Sequence, residues 1–182
     1  MMHYLMAILK QESATELCRE IAEYKLNEVN FVPNSHLHFT ILYFSLDTLE
    51  STKCVSDLKA KVDSLILPDL KVNEIRIGAK QLSLVIKKDE QLERIHSFLA
   101  CDMPYFVNIF NRKFSEWLPH IIISDKISKK NEVDKSVKSD NCQHQIIKSA
   151  IKFERILITR KENDRFHSIY DRKLQIHNTR KK

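Results

Sequence analysis

Apolar positions change their period several times along the chain, and each change marks an element. Tyr4 to Leu9 is a β-favouring apolar run and reads as a first strand. Leu17, Ile21 and Tyr24 then recur at helical spacing behind Ser13-Ala14-Thr15-Glu16. That tetrapeptide has the form of a capping box, with Ser13 as N-cap and Glu16 at N3, so a helix of about twelve to fifteen residues is predicted. Asn27 to Asn34 reads as a connector. Ser35 to Phe44 follows the turn signal Pro33-Asn34 and is rich in Ile, Phe, Tyr and Thr, which predicts a buried strand. A second helix is expected from about Thr48 to Leu65, with Leu49, Val55, Leu58 and Val62 on its apolar side and Pro68 beyond its end.

Two strands come next, Leu70 to Ile77 and Gln81 to Ile86, turning at Gly78-Ala79. Val72, Ile75 and Ile77 do not alternate strictly, which points to a bulge. Asp89 to Ala100 reads as a helix with Leu92, Ile95, Phe98 and Leu99 inward, broken by Asp102-Met103-Pro104. Tyr105 to Ile109 can form a strand, and Trp117-Leu118-Pro119 turns into the β-branched run His120 to Ser124. Residues 125–145 are polar and fit a helix, a loop or both. Phe153 to Thr159 and Ser168 to Ile176 close the pattern with two strands. Strands so interleaved with helices predict an α+β fold with a largely antiparallel sheet system. The 182 residues are most simply one domain, 1–182, with a substantial core and a basic tail over about 177–182.

Composition narrows the function. No apolar run approaches the roughly 18 residues of a membrane span, and the apolar N-terminus lacks a basic flank, so no membrane association is expected. Cys18, Cys54, Cys101 and Cys142 are widely spread, without a Cys-x-x-Cys, and read as reduced thiols in a cytoplasmic protein. The one glycine, Gly78, excludes a Gly-rich phosphate loop or a dinucleotide fingerprint. The net charge of +6 is concentrated: residues 151–182 hold ten Lys/Arg against four Asp/Glu, and the rest of the chain balances. That segment suits a polyanion such as RNA, or is simply a solvated strand and tail.

The candidate chemistry lies at two histidines. His38 and Thr40 alternate onto one side of their strand, setting an imidazole beside a hydroxyl. His120, after Pro119, stands at the mouth of a second apolar strand. Two imidazoles facing across a cleft can break a phosphodiester without a metal, one taking a proton from the attacking oxygen and the other protonating the leaving oxygen. A neighbouring Thr or Ser can hold the non-bridging oxygens. Other readings stay open. His36 and His38 share a face on an extended strand and could ligate a metal, although no further ligand is marked. Tyr43, Trp117 and Phe166 can stack on a base or simply pack.

The arrangement resembles the 2H phosphoesterase superfamily, the 2'-5' RNA ligase-like and RNA 2',3'-cyclic phosphodiesterase group, whose hallmark is a pair of His-x-Thr/Ser motifs. His38-Phe39-Thr40-Ile41-Leu42-Tyr43 matches the first motif, and Trp117-Leu118-Pro119-His120-Ile121 the approach to the second. Tyr4 to Ile8 is similar to the opening strand, and Leu84-Val85-Ile86 with Leu92 to His96 to the central strand and helix. Phe153 to Ile158 and Phe166 to Tyr170 are similar to the closing strands. The resemblance implies a two-lobed, pseudo-symmetric fold of antiparallel sheets flanked by helices, with His38 and His120 catalytic in the cleft and Thr40 binding substrate. It further implies a metal-independent phosphoesterase, without cofactor, that opens 2',3'-cyclic phosphates or cleaves 2'-5' oligonucleotides. The partner is then an RNA or oligonucleotide substrate, and the protein is expected to be a monomer.

One position departs from the pattern. The second motif calls for Thr or Ser two residues after the histidine, where this chain has Ile122. Ser124 shares the strand face of His120 by simple alternation, but four residues span roughly 13 Å, too far without a bulge. Lys126, a little beyond, can supply charge in place of a hydroxyl. Ser124 and Lys126 are therefore candidate substrate-binding residues beside Thr40. The alternative is a catalytically weakened or inactive relative that binds nucleotide or RNA, with Ile122 marking lost chemistry.

Overall fold

The computed structural model describes residues 2–24, 29–45, 51–77, 81–101, 107–108, 117–127, 147–163 and 165–174. Within them the order of elements is β1 (Met2–Leu9), α1 (Gln11–Ala22), β2 (Val29–Phe31), a 3-10 turn (Asn34–His36), β3 (His38–Ser45), α2 (Ser51–Ser64), β4 (Val72–Ile77), β5 (Leu82–Ile86), α3 (Glu90–Cys101), β6 (Val107–Asn108), β7 (His120–Ile127), β8 (Phe153–Glu162) and β9 (Arg165–Lys173). The class is α+β, as expected. All the strand pairings are antiparallel. They form one sheet in the order β4-β5-β7-β3-β1-β8-β9, with β2 also paired to β7 and β6 to β3. Among the described residues the two strand groups, β4-β5-β7 and β3-β1-β8-β9, are paired at Phe39 with Ile121.

Period-2 alternation divides the sheet into two faces. Leu5, Ala7, Leu9, Phe39, Phe44, Leu84, Ile121, Ile156 and Ile158 point one way, and onto them pack Ala14, Leu17 and Ile21 of α1, Leu58 and Val62 of α2, and Leu92, Ile95 and Leu99 of α3. All three helices thus cover the same face in one continuous core. The opposite face carries Tyr4, Met6, His38 and Thr40, none of which belongs to that core. No helix among the described residues is long and apolar enough to cross a membrane.

Local chemistry differs from the sequence pattern at several points. Helix α1 begins at Gln11 with Lys10 as N-cap, and Ser13 lies inside it. The Ser13 hydroxyl instead accepts the Lys152 N–H at 3.1 Å, tying α1 to the approach of β8. The Glu20 carboxylate adds a second tie, accepting the N–H groups of Lys148 and Ser149 at 2.7 and 3.1 Å. Asp89 does cap α3, its Oδ1 accepting the Leu92 N–H at 2.8 Å. On α3 the expected inward Phe98 is 43% exposed, because Leu92, Ile95 and Leu99 already complete the buried stripe. The connector at 27–34 holds the short strand β2, whose apolar content is too small to signal itself. The bulge foreseen in β4 is present, between Val72 and Glu74. Leu49, the Gly78-Ala79 turn, residues 128–145 and the tail at 177–182 lie outside the described residues.

Candidate active site

The joint between the two strand groups positions the histidines. Phe39 and Ile121 face each other with both side chains 0% exposed, filling the core side. Their sequence neighbours must point to the other face. His38 and Thr40 on β3 and His120 and Ile122 on β7 are all half-buried there. Thr40 and His120 line one pocket, and His38 and Ile122 follow the alternation of their strands from the Phe39–Ile121 pair onto the same face. The two halves of the expected site therefore meet on one face.

Both rings are held in the same way. His38 Nδ1 donates to the carbonyl oxygen of His36 at 2.8 Å, and His120 Nδ1 donates to that of Leu118 at 2.9 Å. A carbonyl oxygen only accepts, so Nδ1 carries the hydrogen in each ring and Nε2 is the nitrogen with the exchangeable lone pair. Burial holds the His38 imidazole below the usual histidine range. The charges of His120 and His36 act in the same direction, while the bond to the His36 carbonyl opposes them. His38 is thus biased towards the neutral form at pH 7, a form that accepts a proton.

Beside the His120 ring is a small open pocket lined by Thr40, Ile41, Leu42, Tyr43, Trp117, Leu118 and His120, but not by His38, with a cavity volume of about 20 Å³, room for one water or one phosphate oxygen. Trp117 is fixed from behind: the His96 ring stacks on it at 3.9 Å and 13°, and Phe39 lies 6.5 Å away. Its indole is a packed wall of the pocket. His96, the other ring of this stack, is pushed down to about 4 by burial, with Lys88 adding to the effect. Its Nε2 is enclosed without a hydrogen-bond partner among the described residues.

Other candidate residues are placed differently from simple alternation. Residues 34–36 form a 3-10 turn, so His36 does not share a strand face with His38; its carbonyl is the His38 anchor instead. No group of three or more His, Cys, Asp or Glu residues that could hold a metal occurs among the described residues. Ile122 pairs with Ser83, but Ser124 pairs with Leu82, so Ile123 is an extra residue on β7. That bulge turns Ser124 onto the face of core residue Leu82, where it is 0% exposed, away from His120. Lys126 pairs with Asn30 of β2, and only its backbone position is described. The register also reveals a hydroxyl with no sequence signal: Ser83, directly opposite Ile122, its Oγ 3.4 Å from the Arg76 carbonyl oxygen.

No protein-family model matches the chain, and no curated protein matches its sequence. Solved structures do match in fold. Apo E. coli LigT aligns over 94% of this chain and 96% of its own, with a TM-score of 0.57 and 11% identity. A structure described as a phosphoesterase aligns over 95% and 98% at 0.58 and 11%. The protein TT0787 of Thermus thermophilus aligns over 96% and 98% at 0.61 and 13%. LigT has also been crystallised with 3'-AMP, and that structure matches at a TM-score of 0.53 and 12% identity. The chain therefore has the LigT-like fold along nearly its whole length.

Proposed function

We propose that the protein is a two-histidine phosphoesterase acting on RNA-type phosphodiesters. The observation that carries this reading is the matched pair of ring anchors, Nδ1 to the carbonyl two residues earlier, on two strands that meet at Phe39 and Ile121. Core histidines need no such symmetry; a proton donor and a proton acceptor serving one phosphate do. With a 2',3'-cyclic phosphate, Nε2 of the neutral ring takes a proton from water as its oxygen bonds to phosphorus. The protonated ring gives its proton to the departing ribose oxygen as that P–O bond breaks, leaving a phosphomonoester. With a 2'-5' linkage the neighbouring ribose hydroxyl attacks in place of water. The depressed His38 suits the base role, which leaves the acid role to His120. The Thr40 hydroxyl, across the joint from His120, donates to a non-bridging oxygen. Ser83, on the strand beyond Ile122, is buried and donates its hydroxyl to the Arg76 carbonyl oxygen. It replaces the hydroxyl that Ile122 lacks only by turning away from that bond.

The same Ile122 favours a second reading, a relative that binds nucleotide without turnover. Assays in EDTA on a nucleoside 2',3'-cyclic phosphate and on a 2'-5' dinucleotide separate the two. The enzyme reading predicts turnover that His38→Ala and His120→Ala each reduce by about a hundredfold or more. Nucleotide binding by the wild-type protein with no turnover of either substrate sinks it in favour of the second.

A further inference from the structure

Tyr43, at the rim of the pocket with Thr40 and His120, is joined to two more rings. Its centroid lies 4.7 Å from that of Tyr4 on β1, and Tyr4 meets Phe166 on β9 edge-on at 5.1 Å. Lys161 Nζ lies 5.9 Å over the Phe166 ring. Register puts all four on the face opposite the helices. Tyr4 is opposite Tyr43 on one side and Thr159 on the other, Thr159 is opposite Ser168, and Lys161 is opposite Phe166. None of the three rings belongs to the helix-covered core, and Phe166 is 49% exposed. The rings come from β3, β1 and β9, and the two contacts of 4.7 and 5.1 Å keep the Tyr43 and Phe166 centroids within about 10 Å of each other. The row ends on the hairpin that opens residues 151–182, where the chain carries its excess of ten basic over four acidic residues.

Aromatic rings in a row across a sheet, with the Lys161 cation beside them, suit a ligand that presents flat π-faces and a polyanionic backbone. We propose that Tyr43, Tyr4 and Phe166, with Lys161, form a stacking track for single-stranded RNA, leading away from a phosphate held between His38 and His120. This rests on the reading of the histidine pair as a phosphodiester site. A sheet of about four strands carrying such rings accommodates two or three bases, each stack being sequence-tolerant because every base has a π-face. β8 and β9 carry six Lys/Arg against three Asp/Glu, with Arg155 paired to Asp171 and Arg160 to Glu162. The remaining positive excess suits a polyanion better than an apolar peptide.

The test is the affinity of a labelled single-stranded hexaribonucleotide, read by fluorescence anisotropy in the His38→Ala background so that no cleavage intervenes. Phe166→Ala weakens binding by about five- to hundredfold, the worth of one base–aromatic stack, and Phe166→Trp retains it. Lys161→Gln lowers the slope of log affinity against log salt by about 0.7, one phosphate contact on a single strand. Phe98→Ala is the matched control: Phe98 is also exposed and has Lys61 Nζ 4.8 Å over its ring, but it stands on α3. Equal affinities for Phe166→Ala and Phe98→Ala overturn the track, as does oligonucleotide binding with no salt dependence. Wild-type turnover of a mononucleotide cyclic phosphate is measured alongside. Turnover combined with no effect of Phe166→Ala overturns the track alone. A Phe166→Ala loss without turnover supports the track and overturns the phosphoesterase reading.

Discussion

At the scale of single residues, the ring anchors tie protonation to rate. If neutral His38 is the base, kcat/KM falls as acid protonates it, and because burial depresses that histidine the acid limb lies below pH 6.5. A pH–rate profile on a cyclic phosphate checks this, and an acid limb at or above 6.5 contradicts the assignment. Ile122 makes the second prediction. Removing one oxyanion donor costs about a hundredfold or more in comparable sites, so Ile122→Thr, which restores a hydroxyl two residues after His120, is expected to raise kcat by about ten- to hundredfold. Steady-state kinetics of that variant measure it. An unchanged kcat means that Ser83, or another donor, already fills the position.

At the scale of elements, α3 and the approach to β7 are joined by the His96–Trp117 stack. His96 is neutral when folded, with its proton affinity lowered to about pKa 4 against an ordinary 6.5. The unfolded chain therefore binds the extra proton first as pH drops. The stability from burying neutral His96 is complete above about pH 6.5 and is lost progressively as pH falls towards 4. Trp117 is the chain's one tryptophan, so its fluorescence reports the stack. His96→Phe keeps a ring there and removes the titration; it is expected to flatten the part of the pH dependence of urea unfolding that arises between 6.5 and 4. The elements themselves are largely legible from periodicity. β2 is not, since three residues give no period, and neither is the start of α1, because Ser13 bonds to Lys152, distant in sequence, instead of capping its own helix.

At the scale of the whole molecule, the buried Phe39–Ile121 pair joins two strand groups among the described residues, and the candidate site lies on its reverse. Phe39 packs against Phe153 at 6.1 Å and Trp117 at 6.5 Å while facing Ile121. Phe39→Ala is expected to cost about 3–5 kcal/mol, a large part of the stability of a typical domain. Urea unfolding with an unchanged m-value measures this. A loss under about 1 kcal/mol shows that the joint does not depend on this ring.

The sequence by itself determined the strand and helix periods, the α+β class, and the local setting of His38 with Thr40 and of His120 behind Pro119. These are properties of neighbours along the chain, and backbone geometry translates them directly. It also marked Ile122 as the weak point of the second motif. What only the tertiary structure decided depends on register. Alternation from sequence sends Tyr43 to the face opposite Thr40, but the extra residue in β3 opposite Leu5 and Met6 brings it back beside the pocket. The same count sends Ser124 towards His120, and the bulge at Ile123 turns it into the core. Ser83 and Tyr4 enter only because particular strands pair with β7 and β3. A bulge shifts every later side chain on its strand to the other face, and its position is settled by the strand opposite, which is distant in sequence.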